Sequence, residues 1–439
     1  MAYSLSICEY TVHRAYAVNL DSEINVCGAG RRMMSSSERY MTARQAAVML
    51  GISLPTLYSY VSRRMLHSEP VPGKPRVMRY LRDDVLRLVE RKEFRSNPTK
   101  AAEKGLHWGS PVLPSALTLI DGGRLFYRGL DVIELADHST LEQVAALLWT
   151  GDAKQALALF ADDDARPPSI AASLFKSIRR LGPVERCQLI LPFAANSDLS
   201  AHDLRPIAVA KSGARILRLL FSAVVGFPAE PPLEQPLVQA WTPHRKSVAH
   251  ALRAALTLCA DHELNVSAFT ARCIASARST PYEVVLGALA AFRGRRHGGV
   301  SEEVEMLFRD AHKVPDCRRL VATRLRSFGH VPGFGHQLYP HGDPRAQKLI
   351  SLAKTYGRPR EVELAKRLIQ ASHALTGDYP NLDFGLVVFA RALGLSSEAP
   401  IAIFALGRTV GWIAHAIEQY ADDQIIRPRA RYIGPNPEN

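Results

Sequence analysis

Apolar residues recur at intervals of three and four along most of this 439-residue chain, and strict alternation of apolar and polar positions is rare. Leu130–Trp149 and Val248–Cys259 both carry the helical spacing. After Arg408, the residues Val410, Ile413, Ala414 and Ile417 fall at i, i+3, i+4 and i+7 on one helix face. The pattern predicts a mainly α protein, and the length predicts two or three domains. The first quarter reads differently. Thr42 is placed to cap a helix over Ala43–Leu50, which Gly51 can close, and Pro55 sits in the first turn of a second helix over Leu54–Val61. Arg76-Val77-Met78-Arg79-Tyr80 alternates like a short strand, and Asp83–Val89 fits a third helix. Residues 1–38 show no such pattern and are expected to be disordered or to precede a later start at Met33 or Met34. Residues 96–110 are polar and broken by Pro98, as a linker would be.

Charge sharpens the division. The net charge is +13, and from Arg31 to Lys100 there are fifteen Lys and Arg against six Asp and Glu. A basic module at one end points to a polyanionic partner or to a solvated basic face. Six cysteines show no metal-ligand spacing, so a reducing compartment and no bound metal are expected. The longest nearly apolar stretch, around Ile216–Phe227, is shorter than the ~18–20 residues a membrane span needs, and no basic-then-apolar signal peptide opens the chain. A cytoplasmic location with no membrane partner is the expectation.

Three motifs place chemistry on turns. Arg295-Arg296-His297-Gly298-Gly299-Val300-Ser301-Glu302-Glu303 puts a histidine before two glycines, with Ser301 available to cap the following helix. A positive helix end there disfavours imidazolium and keeps a neutral N–H donor. Gly333-Phe334-Gly335-His336 is followed by Asp343-Pro344-Arg345, where Asp343 can cap a helix that Pro344 begins. Arg345 would then add a planar fork of donors to a positive helix end, a seat for a carboxylate. Pro380-Asn381-Leu382-Asp383-Phe384-Gly385 sets a carboxylate among apolar neighbours, where burial would raise its pKa and make it a usable base. Taken singly, each motif also fits a structural turn, ion pair or helix cap.

Taken together, and in this order, they resemble the citrate synthase family. Tyr127-Arg128-Gly129-Leu130-Asp131-Val132-Ile133-Glu134-Leu135-Ala136, Ala260-Asp261-His262-Glu263-Leu264-Asn265, Gly407-Arg408-Thr409-Val410-Gly411-Trp412-Ile413-Ala414-His415 and Arg427-Pro428-Arg429 resemble further motifs of that family. The likeness spans most of the chain beyond the linker and is weakest from Ala156 to Trp241. It implies a citrate synthase fold with a large domain (residues 111–270 and 376–439) and a small one (271–375), closing over substrate. It implies Asp383 as the base, His297 as donor to the thioester oxygen and His336 as the group that polarises the ketone of oxaloacetate. His262, Arg345, Arg408 and Arg427 would grip its carboxylates, with Arg427 crossing to a second copy in a homodimer. The product would be citrate and CoA, with an acyl-CoA as co-substrate and no cofactor.

Residues 39–95 resemble the winged helix-turn-helix of the MerR/excisionase family. That likeness implies DNA contacts from Ser59, Tyr60, Arg63, Arg64, Arg76 and Arg79. Gln337 stands where the synthase family usually has Arg, and Gly294-Arg295-Arg296 stands for its usual Gly-Pro-Leu. These departures border the expected acyl-CoA site and leave a 2-methylcitrate synthase using propionyl-CoA as an alternative. The helix-turn-helix module leaves a metabolite-sensing DNA-binding regulator as another, and the same site residues would permit a lyase running in reverse.

Overall fold

A computed structural model describes residues 40–63, 65–71, 74–82, 84–85, 88, 113–161, 177–430 and 432–435, with the side chains of 74–76 outside the description. The expected disordered segment 1–38 and linker 96–110 lie outside the described residues. The chain divides into two compact units, 1–114 and 115–439.

In the first unit, β1 (Tyr40–Thr42) leads into α1 (Ala43–Leu50), whose N-cap Thr42 and N3 residue Gln45 form a reciprocal capping box. Gly51 then adopts φ +60, as the sequence predicted for the turn into α2 (Leu54–Ser62). The hairpin β2 (Ser68–Val71) and β3 (Lys74–Leu81) joins β1 in an antiparallel sheet of order β1-β3-β2. Arg82, Asp84, Val85 and Leu88 are helical, which accounts for the described part of the third helix. Ala46, Ala47, Leu50, Leu57, Leu66, Tyr80, Val85 and Leu88 close a core of their own.

The second unit is helical, with one small sheet that the apolar pattern did not predict. β4 (Thr118–Asp121), β5 (Arg124–Tyr127) and β6 (Leu130–Asp131) form a meander turned by Gly122 and Gly123 at φ +57 and +78. The helices that frame the argument are α3 (Ala249–Cys259), α4 (Val266–Ser276), α5 (Pro281–Phe292) and α6 (Val300–Ala311), then α7 (Pro344–Tyr356), α8 (Leu382–Leu393) and α9 (Ala399–Asp422). By length and composition α9 alone among the described helices could cross a membrane, which corrects the expectation drawn from Ile216–Phe227. Its apolar window is 94% buried inside this unit, so α9 is a core helix.

Two apolar cores result. The larger one gathers α3, α5, α9 and the helix Pro206–Val225; the smaller gathers Val304, Phe308, Val321, Val362 and Leu368 with their neighbours. Helix α8 belongs to both. Leu382, Leu386, Phe389 and Leu393 face the larger core, while Phe384, Val387, Val388 and Ala392 face the smaller. A helix apolar on all sides has to be buried, and this one begins where the two cores meet.

Candidate active site

The N-terminus of α8 is the point on which four segments converge. Asn381 caps it, its side-chain oxygen accepting from the amides of Asp383 at 3.1 Å and Phe384 at 3.4 Å. Asp383 therefore projects from the first helical turn and is not itself the cap. The His297 turn reaches it through Ser301, whose hydroxyl donates to Asp383 Oδ1 at 2.7 Å. Ser301 is thus no cap either: α6 begins at Val300, and Ser301 lies inside its first turn. The His336 loop arrives by backbone pairing. Asn381 N donates to Gly333 O and Gly335 N donates to Tyr379 O, each at 2.9 Å. Gly333 has φ +82, and a Cβ there would meet Phe384 Cβ at 2.9 Å, so only glycine lets the loop approach this closely.

The fourth segment is α7. Asp343 caps it, accepting from Arg345 N at 3.0 Å, and its carboxylate also takes Arg345 Nε at 3.0 Å and Nη2 at 2.7 Å. The same carboxylate accepts from Leu382 N at 3.2 Å, which fastens α7 to the start of α8. Both members of this ion pair are buried, and four bonds satisfy the carboxylate. Burial works to lower the Arg345 pKa, but Asp343 outweighs it and holds the guanidinium above its ordinary range. The Nη1 edge of Arg345 lies outside this pair.

Arg408 comes from the middle of α9, where Gly407 and Gly411 allow close approach. A Cβ at Gly407 would lie 2.4 Å from Leu256 O, and one at Gly411 2.4 Å from Ala260 O. Arg408 is 1% exposed, donates from Nε to Cys259 O at 2.7 Å, and leaves Nη2 without a hydrogen-bond partner among the described residues. A buried charged donor left open is expensive, and an anionic ligand is the group that would fill it. His262, three residues past Cys259, lies with its Nε2 3.1 Å from Tyr339 OH and its ring 5.2 Å from that of His336.

Electrostatics follow from this crowding. Burial, followed by Arg408, pushes His297 down to about 3. Burial, followed by Arg345, pushes His336 down to about 4, and the same two influences hold His262 well below its ordinary value. Three neutral imidazoles result. Burial raises Asp383 to about 6, although the Ser301 hydroxyl and Arg345 oppose the rise. Each imidazole has to be assigned a hydrogen. His336 Nδ1 accepts from Leu338 N at 3.2 Å, so its hydrogen is on Nε2. His297 Nε2 lies 2.8 Å from Ser267 Oγ, which accepts from Trp412 Nε1 at 3.0 Å and donates its hydroxyl proton to Asn265 Oδ1 at 2.7 Å. With that proton on Asn265, His297 donates to Ser267 from Nε2; the imidazole carries its hydrogen on Nδ1 only when the proton turns to His297. The rings of Phe292 and Phe404 stand 5.2 and 5.8 Å from that of His297 and pack it from the buried apolar core.

Six of the seven residues singled out for the reaction thus lie in one electrostatic neighbourhood: Asp383 feels Arg345 and Arg408, and His262 feels both arginines and the other two histidines. Arg427 does not join them. It lies past the end of α9, exposed and with no ion-pair partner among the described residues. Asp343, Ser301, Ser267 and Tyr339 are contributors that sequence reasoning did not assign to the site. In the first unit, Arg79 pairs with Glu69 and lies over Tyr40 at 4.0 Å, Tyr60 packs against the core, Ser59 is half-buried and Arg63 is exposed. Arg64 lies outside the described residues, as does the Arg76 side chain. The exposed face of α2 is instead Pro55, Tyr58 and Ser62, of which none was a predicted contact.

Comparison with known proteins agrees with this geometry. The family model described as "Citrate synthase, C-terminal domain" matches residues 105–429, and that of "Helix-turn-helix domain" matches 40–93. Citrate synthase 2 of Bacillus subtilis is 29% identical over 364 residues, covering 76% of this chain and 96% of that protein. The 2-methylcitrate synthase of Mycobacterium tuberculosis is 28% identical, covering 71% of this chain and 84% of its own length. The Thermoplasma acidophilum citrate synthase, solved as a ternary complex with carboxymethyl coenzyme A and oxaloacetate, superposes with a TM-score of 0.65. It is 25% identical, over 77% of this chain and 97% of that one.

Proposed function

The chain belongs to the citrate synthase family of acyltransferases, and from that premise we propose that it condenses acetyl-CoA with oxaloacetate and hydrolyses the resulting thioester to citrate and CoA. The observation that carries this reading is Asp383, a carboxylate raised to about 6 by burial and felt by the buried guanidiniums of Arg345 and Arg408, which also act on the neutral imidazoles of His336 and His297. A base near neutrality can take a proton from the acyl methyl carbon at physiological pH. That carbon acid is weak, so the negative charge must be met as it forms. The Nδ1–H tautomer of His297, formed when the Ser267 proton turns from Asn265 to Nε2, would supply a neutral donor to the thioester oxygen. The Nε2–H of His336 polarises the ketone, so that the new carbon–carbon bond forms with the ketone oxygen already hydrogen-bonded. The open Nη2 of Arg408 and the Nη1 edge of Arg345 are seats for carboxylates. Exposed Arg427 supports a site completed by a second copy of this chain.

The reading is tested by release of free CoA thiol. Release should require oxaloacetate and should collapse in Asp383→Ala; unchanged turnover in that variant overturns the assignment. The ratio of turnover with acetyl-CoA to that with propionyl-CoA decides between citrate and 2-methylcitrate as product.

A second reading has its own observation: an amino-terminal unit with a separate core and an exposed α2 face bearing Tyr58 and Ser62, with Arg63 just beyond. We infer that this unit binds DNA, so that the protein is an enzyme with a regulatory appendage. Fluorescence anisotropy on a palindromic duplex library should show binding that weakens steeply with salt; no binding at about 50 mM salt removes this reading.

A further inference from the structure

Tyr339 sits three residues after His336, in the turn that carries both. Its amide donates to His336 O and its carbonyl accepts from Gly342 N, each at 3.0 Å, so the ring has little freedom. The side chain is 2% exposed. Its ring centroid lies 5.0 Å from that of His336 and 5.6 Å from that of His262, and the Arg345 guanidinium is 5.4 Å from it. The hydroxyl is 3.1 Å from His262 Nε2.

Neither partner changes charge near neutral pH. Burial pushes the phenol up to about 12, and burial followed by Arg345 keeps His262 neutral. The contact is therefore a hydrogen bond between neutral groups. A buried hydroxyl with no acceptor costs about 1–3 kcal/mol, and His262 Nε2 is the acceptor within reach. An imidazole that accepts at Nε2 carries its hydrogen on Nδ1.

We propose that Tyr339 is a positioning residue for the 2-oxo acid: its hydroxyl donates to His262 Nε2 and so holds His262 as the Nδ1–H tautomer, whose remaining N–H binds a substrate carboxylate. The inference rests on the synthase reading, which assigns His262 to the oxo acid. It also gives the turn after His336 a single purpose. The backbone N–H of Leu338 sets the tautomer of His336, and the side chain of the next residue sets that of His262. One short turn thereby orients the donor to the ketone and the donor to the carboxylate together.

The test is Tyr339→Phe in the full-length protein, which keeps the ring and removes only the hydroxyl. KM for oxaloacetate should rise about 10-fold, the loss of one buried hydrogen bond, while KM for acyl-CoA and kcat change less than about twofold. A packing role would survive in Phe and leave that split unseen. Nitrogen-15 spectra of histidine-labelled protein give a second readout, with His262→Gln identifying the His262 signals. Nε2 should resonate as an unprotonated nitrogen in the parent and shift toward a protonated one in the variant. An unchanged nitrogen signal, or equal rises in both KM values, overturns the proposal. Absence of parent turnover counts against the synthase reading instead, because the spectra are read without substrate.

Discussion

The two units use arginine in opposite ways. In the amino-terminal unit, half-buried Arg79 directs Nε and Nη2 to Glu69 and lays its face over Tyr40. In the catalytic unit, Arg408 is 1% exposed, gives Nε to a backbone carbonyl and leaves Nη2 open. A paired arginine near the surface contributes roughly 0–1 kcal/mol and ties a hairpin together. A buried guanidinium with an open donor is a liability that only a ligand or water can relieve. Burial and an unfilled donor mark the binding group; the residue type alone does not. The same contrast separates Asp343, whose carboxylate is satisfied by four donors, from Asp383, which among the described residues has Ser301 as its one side-chain donor and rises to about 6.

The largest effect should come from that second contrast. Asp383→Asn removes the base and should lower kcat by about 10²–10⁴-fold. It should also stabilise the protein. A carboxyl group that titrates near 6 when folded and near 4 when unfolded binds more protons in the folded state between those values. Its contribution therefore falls as pH rises through that window, and above about pH 6 the full penalty, about 3 kcal/mol, is present. At pH 8 the Asn variant should melt a few degrees higher than the parent, and at pH 4 the difference should vanish. A variant that is inactive and also less stable at pH 8 would show that Asp383 supports the fold, as Asp343 does.

Next in size is Arg408→Gln. If the open donor waits for a carboxylate, KM for oxaloacetate should rise about 10–100-fold, the range for a hydrogen bond to a charged group. The thermal stabilisation given by saturating oxaloacetate should shrink in parallel. Loss of turnover with an unchanged oxaloacetate KM would place Arg408 with the structural arginines.

Ser301→Ala acts more gently. Its hydroxyl opposes the rise in the Asp383 pKa, so the acid limb of the kcat profile should move to higher pH, by about one unit, with the plateau rate retained to within a few-fold. A limb that stays in place would mean that the titrating group is not Asp383.

What the sequence discloses divides along the same line. The caps at Thr42 and Asp343, the turn at Gly51 and the helical faces were legible because their chemistry is local, within three or four residues. The order of the motifs was enough to name the fold of the catalytic unit. Roles that depend on a distant partner were hidden. Ser301 read as a cap because a serine before two glutamates suits one, whereas its hydroxyl goes to a residue 82 positions away. Asp343 read as a cap and is one, yet its hold on Leu382 N could not be inferred from spacing. Tyr339 carried no signal beyond its proximity to His336. The small sheet at Thr118–Asp131 was missed although Asp121-Gly122-Gly123-Arg124 has the composition of a tight hairpin.

Arg79 gives the smallest and most discriminating effect. It was expected to touch phosphate, but its bonds to Glu69 and its place over Tyr40 describe a residue engaged within its own sheet. Arg79→Ala should therefore lower the stability of the amino-terminal unit by about 0.5–1 kcal/mol, the scale of an exposed pair plus a cation–π contact, and should leave synthase turnover unchanged. Arg63→Ala, at an exposed position with its side chain in solvent, should leave stability unaltered. Should the unit bind DNA, the two variants separate completely. Arg63→Ala should weaken binding and reduce the salt slope by about one, while Arg79→Ala should alter affinity only as far as it loosens the hairpin. The reverse outcome, a lost salt slope in Arg79→Ala with stability intact, would mean that Glu69 releases this guanidinium to the phosphate backbone, and that a paired surface arginine can serve a ligand as directly as the buried Arg408.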